Sequence, residues 1–373
     1  MMMMVMMMTK LKLSLTIALG LGSIACSAAS DDLKRTPPPG PTGEPSPSVL
    51  ISNCVCGTEP GCPPCAAVSA APSADPLAPA AGGEFPPKSF AAPVERTKKP
   101  GDGEWASLDV HRGAGHESPL RRSIVHPHKI RGFVVVELVA IDTTRVSMDL
   151  ILGPEEPEGS TFPLSQRTGL VPASAQPNLI AVTNGGFKKR HGGHGLGLAG
   201  ETVVPAQRDT CTFAKLKDGS YRLGTHSAME SALEGHQFFR QTPPCLIENG
   251  AKNPDLDNEY KAKKWGGAED GNKEIRRSAI AFGKDSRTLY FAIGDYVTAE
   301  WLADGLIAAG MTVAAELDIN YSYTRFITYA HAGGELIASS PLLSDLKAPK
   351  KEYWKTASPR DFFSLTWREP SKP

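Results

Sequence analysis

Residues 276–325 read RRSAIAFGKDSRTLYFAIGDYVTAEWLADGLIAAGMTVAAELDINYSYTR, and this stretch decides the fold. Two apolar runs, 278–282 and 288–293, lie on either side of a Gly-Lys-Asp-Ser-Arg sequence. A polar, glycine-containing connection between two such runs is typical of a β-hairpin. The stretch therefore predicts a pair of antiparallel strands that later elements extend.

A helix is predicted next. Gly294-Asp295-Tyr296 is expected to turn the chain, and Thr298 is a suitable N-cap because its hydroxyl can accept a hydrogen bond from a free backbone N–H group of the first turn. Glu300 suits the positive end of the helix dipole. Gly310 follows three apolar residues and is the expected stop signal.

The last part of the stretch carries acidic and amide side chains. Residues 312–317 form a short apolar run that predicts a buried strand, and Glu316, Asp318 and Asn320 lie at its end. Side chains alternate along a strand, so these three are expected on one face. Acids at this position either project into solvent or gather at a site, and the spacing alone leaves both interpretations open.

The composition of the whole chain limits its partners. The 373 residues include 40 basic and 40 acidic side chains, so the formal net charge is zero. A nucleic-acid-binding protein usually has an excess of basic residues on one face, so no nucleic-acid partner is predicted. Hydrophobic residues make up 40% of the chain, enough for a globular core, and 36 glycines suit a protein rich in loops and strands.

Residues 1–29 are predicted to be an export signal. Lys10 and Lys12 precede an apolar run, 13–24, that is too short for a comfortable membrane span. Small residues just before Cys26 predict a bacterial lipoprotein that is acylated at this cysteine, although Ser23 stands where leucine is commonest. The sequence thus predicts a membrane-anchored protein of the cell envelope, with ordinary secretion after cleavage nearby as the alternative.

Residues 30–104 are predicted to be a disordered linker, because a segment so rich in Pro, Ala, Ser and Gly cannot bury enough apolar surface to offset the entropy of ordering. It contains a cluster of four cysteines at positions 54, 56, 62 and 65. Such spacing suggests zinc in a cytosolic protein, whereas oxidising conditions favour disulfides. The pairing within the cluster stays open, and Cys211 and Cys245 are predicted to form a separate disulfide.

Residues 105–373 are predicted to be one mixed α+β domain that is rich in strands. A helix is expected within residues 228–240, and 253–273 is a polar excursion. Besides the hairpin, strands are predicted at 132–141, 146–152, 179–183, 211–216, 220–223, 245–248, 326–329, 335–337 and 362–366.

Several short motifs, in this order, resemble the phosphodiester glycosidase family. The resemblance covers about residues 130–330 and depends on the order of the motifs. The motifs are Asn184-Gly185-Gly186-Phe187, the glycine-rich stretch up to Gly200-Glu-Thr-Val-Val204, Pro244-Cys-Leu-Ile-Glu-Asn-Gly250, Arg277-Ser-Ala-Ile-Ala-Phe-Gly283, 289–294, the helix at 301–310 and 314–318. The resemblance implies an α+β fold with the site between the Asn-Gly-Phe loop, the arginine strand and the loop after Asp318.

The last motif departs from the family. Members typically have Asn-Leu-Asp-Gly-Gly-Gly-Ser-Ser, whereas this chain has Glu-Leu-Asp-Ile-Asn-Tyr-Ser-Tyr over 316–323. Asp318 and Ser322 match. Glycine allows positive φ and close approach of the backbone to a ligand. Asn320 tolerates a left-handed backbone, but the β-branched Ile319 does not. The loop is therefore expected to be reshaped.

The resemblance implies roles for individual residues. Asp318 is the predicted electrostatic or nucleophilic carboxylate for the anomeric carbon, and Glu316 the second acid. Arg277 is the predicted phosphate ligand, because its guanidinium can bind phosphate with two N–H groups. The other predicted substrate contacts are Asn184, Gly185, His194, Asn320 and Ser322. The alternatives are a loop-capping role for Asp318, a surface position for Arg277 and a turn role for Asn184.

His191 and His194 are separated by two glycines. Two imidazoles at this spacing could bind a metal or transfer protons. No third ligand is visible nearby, so a solvated loop at the mouth of the site is predicted. No cofactor is predicted, although the paired acids Glu316 and Asp318 are compatible with a divalent cation.

Two functions follow from the sequence. One is an exported hydrolase that releases a sugar from a sugar-1-phosphodiester or a related envelope glycan, with carbohydrate as its partner. The other is a non-catalytic relative that binds an envelope glycan and has lost catalysis with the three glycines of the last motif.

Overall fold

The computed structural model describes residues 82–110, 117–285, 287–342 and 352–368. These residues contain two α helices, α1 (His226–Met229) and α2 (Ala299–Ala308), and short 3-10 helices at Glu95–Thr97, Leu164–Gln166, Gln176–Asn178, Glu230–Leu233, Pro254–Asp257 and Lys261–Trp265. Their strands are β1 (Ala106–Ser107), β2 (Leu120–Val125), β3 (Val135–Asp142), β4 (Val146–Ile151), β5 (Leu179–Asn184), β6 (Leu196–Leu198), β7 (Glu201–Val204), β8 (Cys211–Lys215), β9 (Tyr221–Thr225), β10 (Phe238–Thr242), β11 (Ile247–Glu248), β12 (Ala251–Lys252), β13 (Ile275–Phe282), β14 (Thr288–Val297), β15 (Val313–Ile319), β16 (Phe326–Ala332), β17 (Glu335–Pro341) and β18 (Phe362–Trp367).

The strands form three antiparallel sheets. The largest has the order β1-β2-β3-β14-β13-β15-β11-β12, and the other two have the orders β7-β6-β10-β8-β9 and β17-β16-β5-β18-β4. Every residue of β13 is buried. The predicted hairpin is thus confirmed as the β13–β14 pair in the middle of the largest sheet.

The main apolar core contains side chains from all three sheets. Ile280 and Phe291 come from the largest sheet, Phe213 from the second and Phe363 from the third. Helix α2 covers the other face of the largest sheet, where Leu302 and Leu306 join a second core cluster. Strand β13 therefore contributes to both cores, and this double burial explains its apolar sequence.

The predicted start and stop of helix α2 are confirmed. The Thr298 hydroxyl accepts a hydrogen bond from the Trp301 backbone N–H at 3.2 Å, and Gly310 has φ +84° just after the helix. The turn predicted at Gly294-Asp295-Tyr296 is wrong, because β14 continues to Val297. Tyr296 is accommodated within the strand by a left-handed backbone with φ +53°.

The predicted α+β class is wrong, because the described part of the chain is mostly β, with α helices of four and ten residues. The sequence predicted a helix over 228–240. In the structure, α1 ends at Met229, and a 3-10 helix, Glu230–Leu233, follows it. Gly235, with φ +69°, then leads into strand β10. The polar excursion at 253–273 forms two 3-10 helices.

The folded part begins before residue 105. Phe85 and Phe90 pack against the core beneath α2, and the Phe90 backbone N–H donates to the Gly103 carbonyl at 3.0 Å. Buried Asp102 contacts buried His126 through Oδ1 and Nδ1 at 2.7 Å. Composition alone predicts a linker over 82–104, because it does not show that a few aromatic and acidic side chains of this segment pack against the rest of the domain.

The predicted signal segment, the acylated Cys26 and the cluster of four cysteines lie outside the described residues. Cys211 and Cys245 do form the predicted disulfide, with their Cα atoms 4.7 Å apart. It links the first residue of β8 to the approach to β11. No helix in the described part of the chain combines the length and apolar character needed to cross a membrane.

Candidate active site

The candidate site lies at the end of the largest sheet where β13 begins and β15 ends. Two residues of β15, Leu317 and Asp318, lie opposite the single β13 residue Ser278. Such a β-bulge redirects side chains, and bulges are common beside active sites. The alternation from which a shared face was predicted is therefore interrupted between Glu316 and Asp318.

Asp318 is paired with an arginine that lies much later in the sequence, just before strand β18. Its carboxylate forms an ion pair with Arg360, with 2.6 Å between Oδ2 and Nη1. The Arg360 guanidinium carbon lies 3.9 Å from the centre of the Tyr323 ring. Asp318 is only 2% exposed, and burial raises its pKa to about 6 although Arg360 opposes the shift. The result is a carboxylate that gains and loses its proton near neutral pH.

The backbone of Asp318 is fixed by its neighbours. The Ser278 and Thr324 hydroxyls donate to the Asp318 carbonyl at 2.9 and 3.1 Å. The Asp318 N–H donates to the Gly185 carbonyl at 3.0 Å. Asn184 completes this group, because its Nδ2 donates to the Ser278 hydroxyl at 2.9 Å. Four residues thus position the carboxylate without using its oxygens.

A second buried ion pair supports the first. Asp361 Oδ2 lies 2.9 Å from Arg240 Nε and accepts a hydrogen bond from the Gly186 N–H at 3.0 Å. Arg240 also donates to the Phe187 carbonyl, and Arg360 donates to the Gly186 carbonyl at 3.1 Å. The Asn-Gly-Gly-Phe loop is therefore held between two arginines.

Both glycines of this loop are required for close packing. A Cβ at Gly185 would lie 2.3 Å from Asp361 Oδ2, and one at Gly186 would lie 2.7 Å from Arg240 Cζ. Both contacts are shorter than any normal contact between non-bonded atoms. The glycines allow the backbone to approach the ion pair, as they often do near ligands and charged groups.

Glu316 and Arg277 form a separate, fully buried pair. Glu316 Oε1 lies 2.7 Å from Arg277 Nη1, and both side chains are at most 2% exposed. Arg277 also donates to the carbonyls of Trp265, Gly266 and Val297 at 2.7 to 3.1 Å, and to that of Lys273 at 2.9 Å through Nη2. All of its N–H groups therefore have protein acceptors, and this geometry favours a structural role.

Burial raises the pKa of Glu316 from 4.5 to about 7, and Arg277 opposes the shift. A folded-state pKa above the unfolded value favours the protonated folded form, so stability from this group is present below about pH 4.5 and is lost as pH rises to about 7. We expect the free energy of unfolding of the wild type to fall by up to about 3 kcal/mol over this range because of Glu316.

The Glu316→Gln variant should lack this part of the decline, because glutamine does not titrate. Urea unfolding of both proteins from pH 4.5 to pH 8 measures the difference. The free energy of unfolding of the variant should still fall with pH, partly because of Asp318, whose pKa is also raised. Parallel curves for the two proteins would contradict the assignment.

The structure places the other predicted contacts at different depths. Asn184 is fully buried, and its Oδ1 accepts from the Arg325 N–H at 3.0 Å. Asn320 and Ser322 are exposed, and Asn320 Oδ1 accepts from the Ser322 hydroxyl at 2.8 Å. Asn320 has φ +109°, in agreement with the predicted tolerance of a left-handed backbone. Asn184 thus lies beside Asp318, whereas the loop residues face solvent.

The prediction of a solvated loop at the two histidines holds for His191 only. His191 is exposed, but His194 is 9% exposed and packs edge-on to the Phe187 ring at 5.9 Å. Burial and the charge of Arg240 lower the pKa of His194 to about 4. A neutral imidazole is therefore expected beside the Asn-Gly-Gly-Phe loop.

In the described ranges, no group of three His, Cys, Asp or Glu side chains is arranged to hold a metal ion. Glu316 and Asp318 each face an arginine, Arg277 and Arg360 respectively. Their charges are therefore already balanced by guanidinium groups.

Sequence reasoning missed four residues of the site, namely Arg240, Tyr323, Arg360 and Asp361. The local signal for the last two is weak, namely that two charged residues stand directly before the apolar strand β18. Arg240 was missed because its segment was predicted to be helical. Nothing in the local sequence indicates that these residues meet.

Comparison with known proteins gives structural similarities of low identity. No protein-family profile and no curated protein matches the sequence. The catalytic domain of zebrafish N-acetylglucosamine-1-phosphodiester alpha-N-acetylglucosaminidase, auto-inhibited by its pro-peptide, is 14% identical with a TM-score of 0.43, and the match covers 71% of this chain and 88% of that one. A hypothetical protein from Synechocystis is 11% identical with a TM-score of 0.38, over 67% of this chain and 62% of that one.

Similarities this low indicate nothing about the roles of individual residues in this chain.

Proposed function

We propose that this protein is a hydrolase that releases a sugar from a sugar-1-phosphodiester, with Asp318 as the carboxylate that acts at the anomeric carbon. The observation that carries the proposal is the buried Asp318–Arg360 pair. It places a carboxylate of raised pKa 2.6 Å from a guanidinium. Carboxylates stabilise or attack the oxocarbenium-like centre of glycoside hydrolysis, and guanidinium groups bind phosphate.

The role of phosphate ligand is assigned to Arg360. Arg360 Nε has no hydrogen-bond partner among the described residues, whereas Arg277 directs all its N–H groups to protein acceptors. A phosphate that binds Arg360 would draw the guanidinium from Asp318 and free the carboxylate. The Tyr323 ring contacts the Arg360 guanidinium, whose carbon lies 3.9 Å from the ring centre.

The reaction is a hydrolysis. The bond between the anomeric carbon and the phosphate oxygen breaks, and the phosphate monoester leaves with the electron pair. The Asp318 carboxylate stabilises the positive charge that develops on the sugar. The oxygen of a water molecule then bonds to the anomeric carbon, and the water releases one proton. Phosphate is a good leaving group, so a strong general acid is not required.

Glu316 and Arg277 support the site in this proposal. Their pair fixes the start of β13 and the end of β15, between which the bulge presents Asp318. In this proposal Asn184 and Gly185 support Asp318 rather than contact the sugar. The Gly185 carbonyl accepts from the Asp318 N–H, and Asn184 donates to Ser278, whose hydroxyl donates to the Asp318 carbonyl. Export, the lipid anchor at Cys26 and an envelope glycan as the natural substrate stay predictions.

The alternative is a glycan-binding protein without catalysis. It is favoured by the burial of Asp318, which is 2% exposed, and by Ile319, Asn320 and Tyr321 where the family has glycines. In this case the Asp318–Arg360 pair is a structural ion pair.

An assay on the full chain distinguishes the two functions. We expect release of the free sugar from an aryl or alkyl sugar-1-phosphodiester, and little release from the matching aryl glycoside, which lacks the phosphate. Reducing-sugar detection measures both. If no diester in a panel of common hexoses and N-acetylhexosamines is hydrolysed, and a glycan still raises the melting temperature, the binding function is correct.

A further inference from the structure

Three large exposed side chains lie in one row on the surface. Phe133, Tyr296 and Tyr321 are 60%, 52% and 44% exposed. The ring centres of Phe133 and Tyr296 are 6.4 Å apart, and those of Tyr296 and Tyr321 are 5.9 Å apart. Single exposed apolar residues are common, but a contiguous group usually marks a binding surface. We call these three residues the aromatic row.

The aromatic row lies at the same end of the sheet as Asp318. Phe133 comes just before β3, and Val135 in that strand pairs with Asp295. Tyr296 is near the end of β14, and Tyr321 lies three residues beyond Asp318 in the loop after β15. A ligand on the row would therefore be close to the candidate active site.

The backbone holds Tyr296 outward at an energetic cost. Asp295 and Tyr296 together lie opposite Arg276, so β14 has a bulge here as β15 has at Asp318. Tyr296 adopts φ +53°, a left-handed conformation that residues other than glycine and asparagine rarely adopt. Its ring is half exposed and is not part of either core cluster beside the sheet. Strained residues of this kind are concentrated at ligand-binding sites.

The charged side chains along the aromatic row are paired with one another. Arg276 forms an ion pair with Asp295 at 2.6 Å and lies over the Tyr321 ring at 5.0 Å. Arg131 is paired with Glu274 at 2.5 Å. The row thus offers ring faces and phenol hydroxyl groups between balanced charges. This chemistry suits a neutral ligand that has both apolar C–H faces and hydroxyl groups.

We propose that Phe133, Tyr296 and Tyr321 bind a neutral carbohydrate chain. Sugar rings present weakly positive C–H groups on one face, which stack on the negative face of an aromatic ring, while their hydroxyls bond to tyrosine. A stable protein interface has roughly 20–30 residues on each side, so three side chains are too few to indicate a protein partner. The inference rests on the proposed function in one respect only, namely that the phosphodiester end of the bound carbohydrate lies at Asp318.

Affinity electrophoresis of the full chain tests the proposal, with hydroxyethyl cellulose, a galactomannan and dextran as probes in the gel. We expect at least one of them to retard the wild type. The triple variant Phe133→Ala, Tyr296→Gly, Tyr321→Ala should bind it at least about tenfold more weakly. Glycine at position 296 suits the left-handed backbone, so the variant should remain folded.

Tyr260→Ala is the matched control, since Tyr260 is 80% exposed and lies outside the row, and its retardation should equal that of the wild type. The triple variant should still hydrolyse a small alkyl sugar-1-phosphodiester, whereas Asp318→Asn should retain binding to the polysaccharide. The triple variant should thus lose binding and keep hydrolysis, whereas Asp318→Asn should lose hydrolysis and keep binding. The two patterns show which of the two proposals is wrong if one of them fails. No retardation of the wild type by any probe, equal retardation of the triple variant, or a dimer that only the triple variant dissociates would overturn the inference.

Discussion

Asp318→Asn is expected to lower kcat for a sugar-1-phosphodiester by on the order of 10²–10⁴-fold, the contribution of a positioned catalytic carboxyl group. Asparagine fills the same space and keeps an oxygen that accepts a hydrogen bond from Arg360, so KM should change little. Loss of kcat with an unchanged KM indicates an interaction made only in the transition state. Steady-state kinetics on the wild type and the variant measure both constants.

The pH dependence provides a second measure of the same prediction. If the ionised form of Asp318 reacts, kcat/KM should rise about tenfold per pH unit below about pH 6 and level off above it, since burial raises this pKa to about 6. Glu316→Gln is the comparison, because it removes a buried carboxylate two residues away, and its activity should stay within about tenfold of the wild type. Equal losses in the two variants would contradict the assignment of the reaction to Asp318.

Arg277→Met is expected to lower the free energy of unfolding by about 3–5 kcal/mol at pH 7, the usual cost of removing one partner of a buried ion pair. The substitution leaves Glu316 buried without its counter-charge. It also leaves the carbonyls of Trp265 and Gly266 without the donors that they have in the wild type. For a domain of this size the melting temperature should fall by roughly 10 °C.

Arg276→Met is the matched control for this prediction. Arg276 occupies the next position on β13 and pairs with Asp295, which is partly exposed. Removing it should therefore cost much less than removing Arg277. Arg277→Lys should be destabilised less than Arg277→Met, because its ammonium group keeps a positive charge near Glu316 but cannot reach all the acceptors of the guanidinium fork. A stable Arg277→Met protein that has lost only affinity for the diester would instead support the original prediction of a phosphate ligand.

The sequence predicted the parts of the fold that local chemistry determines. The β13–β14 hairpin and the N-cap at Thr298 are examples, because a polar turn and a capping hydroxyl act over a few residues. Strand β10 was missed, because the residues before it form a helical turn and its own side chains do not alternate in polarity, all five being buried. The wrong fold class follows from this error together with the continuation of β14 past Gly294.

The candidate site was predicted in part. Asp318, Asn184 and Gly185, which the motifs single out, lie together in the structure, and their roles in a reaction stay predictions. Arg360 could not be assigned as the partner of Asp318, because no local pattern indicates which of several arginines crosses the core. The bulge at Asp318 was also beyond prediction, since it depends on pairing with Ser278 rather than on the residues of β15 alone.

The ion pairs around the Asn-Gly-Gly-Phe loop also bear on the order of folding. Gly186 and Asp361 are separated by 175 residues along the chain, and Arg240 and Asp361 by 121. Contacts of such separation close large loops, so they form slowly and depend on elements that have already formed. The hairpin and helix α2 can form from nearby residues, but Asp318 acquires Arg360, and Arg240 acquires Asp361, only when β18 pairs with β5. In kinetic terms, the chain should regain most of its strand structure before it becomes competent to act.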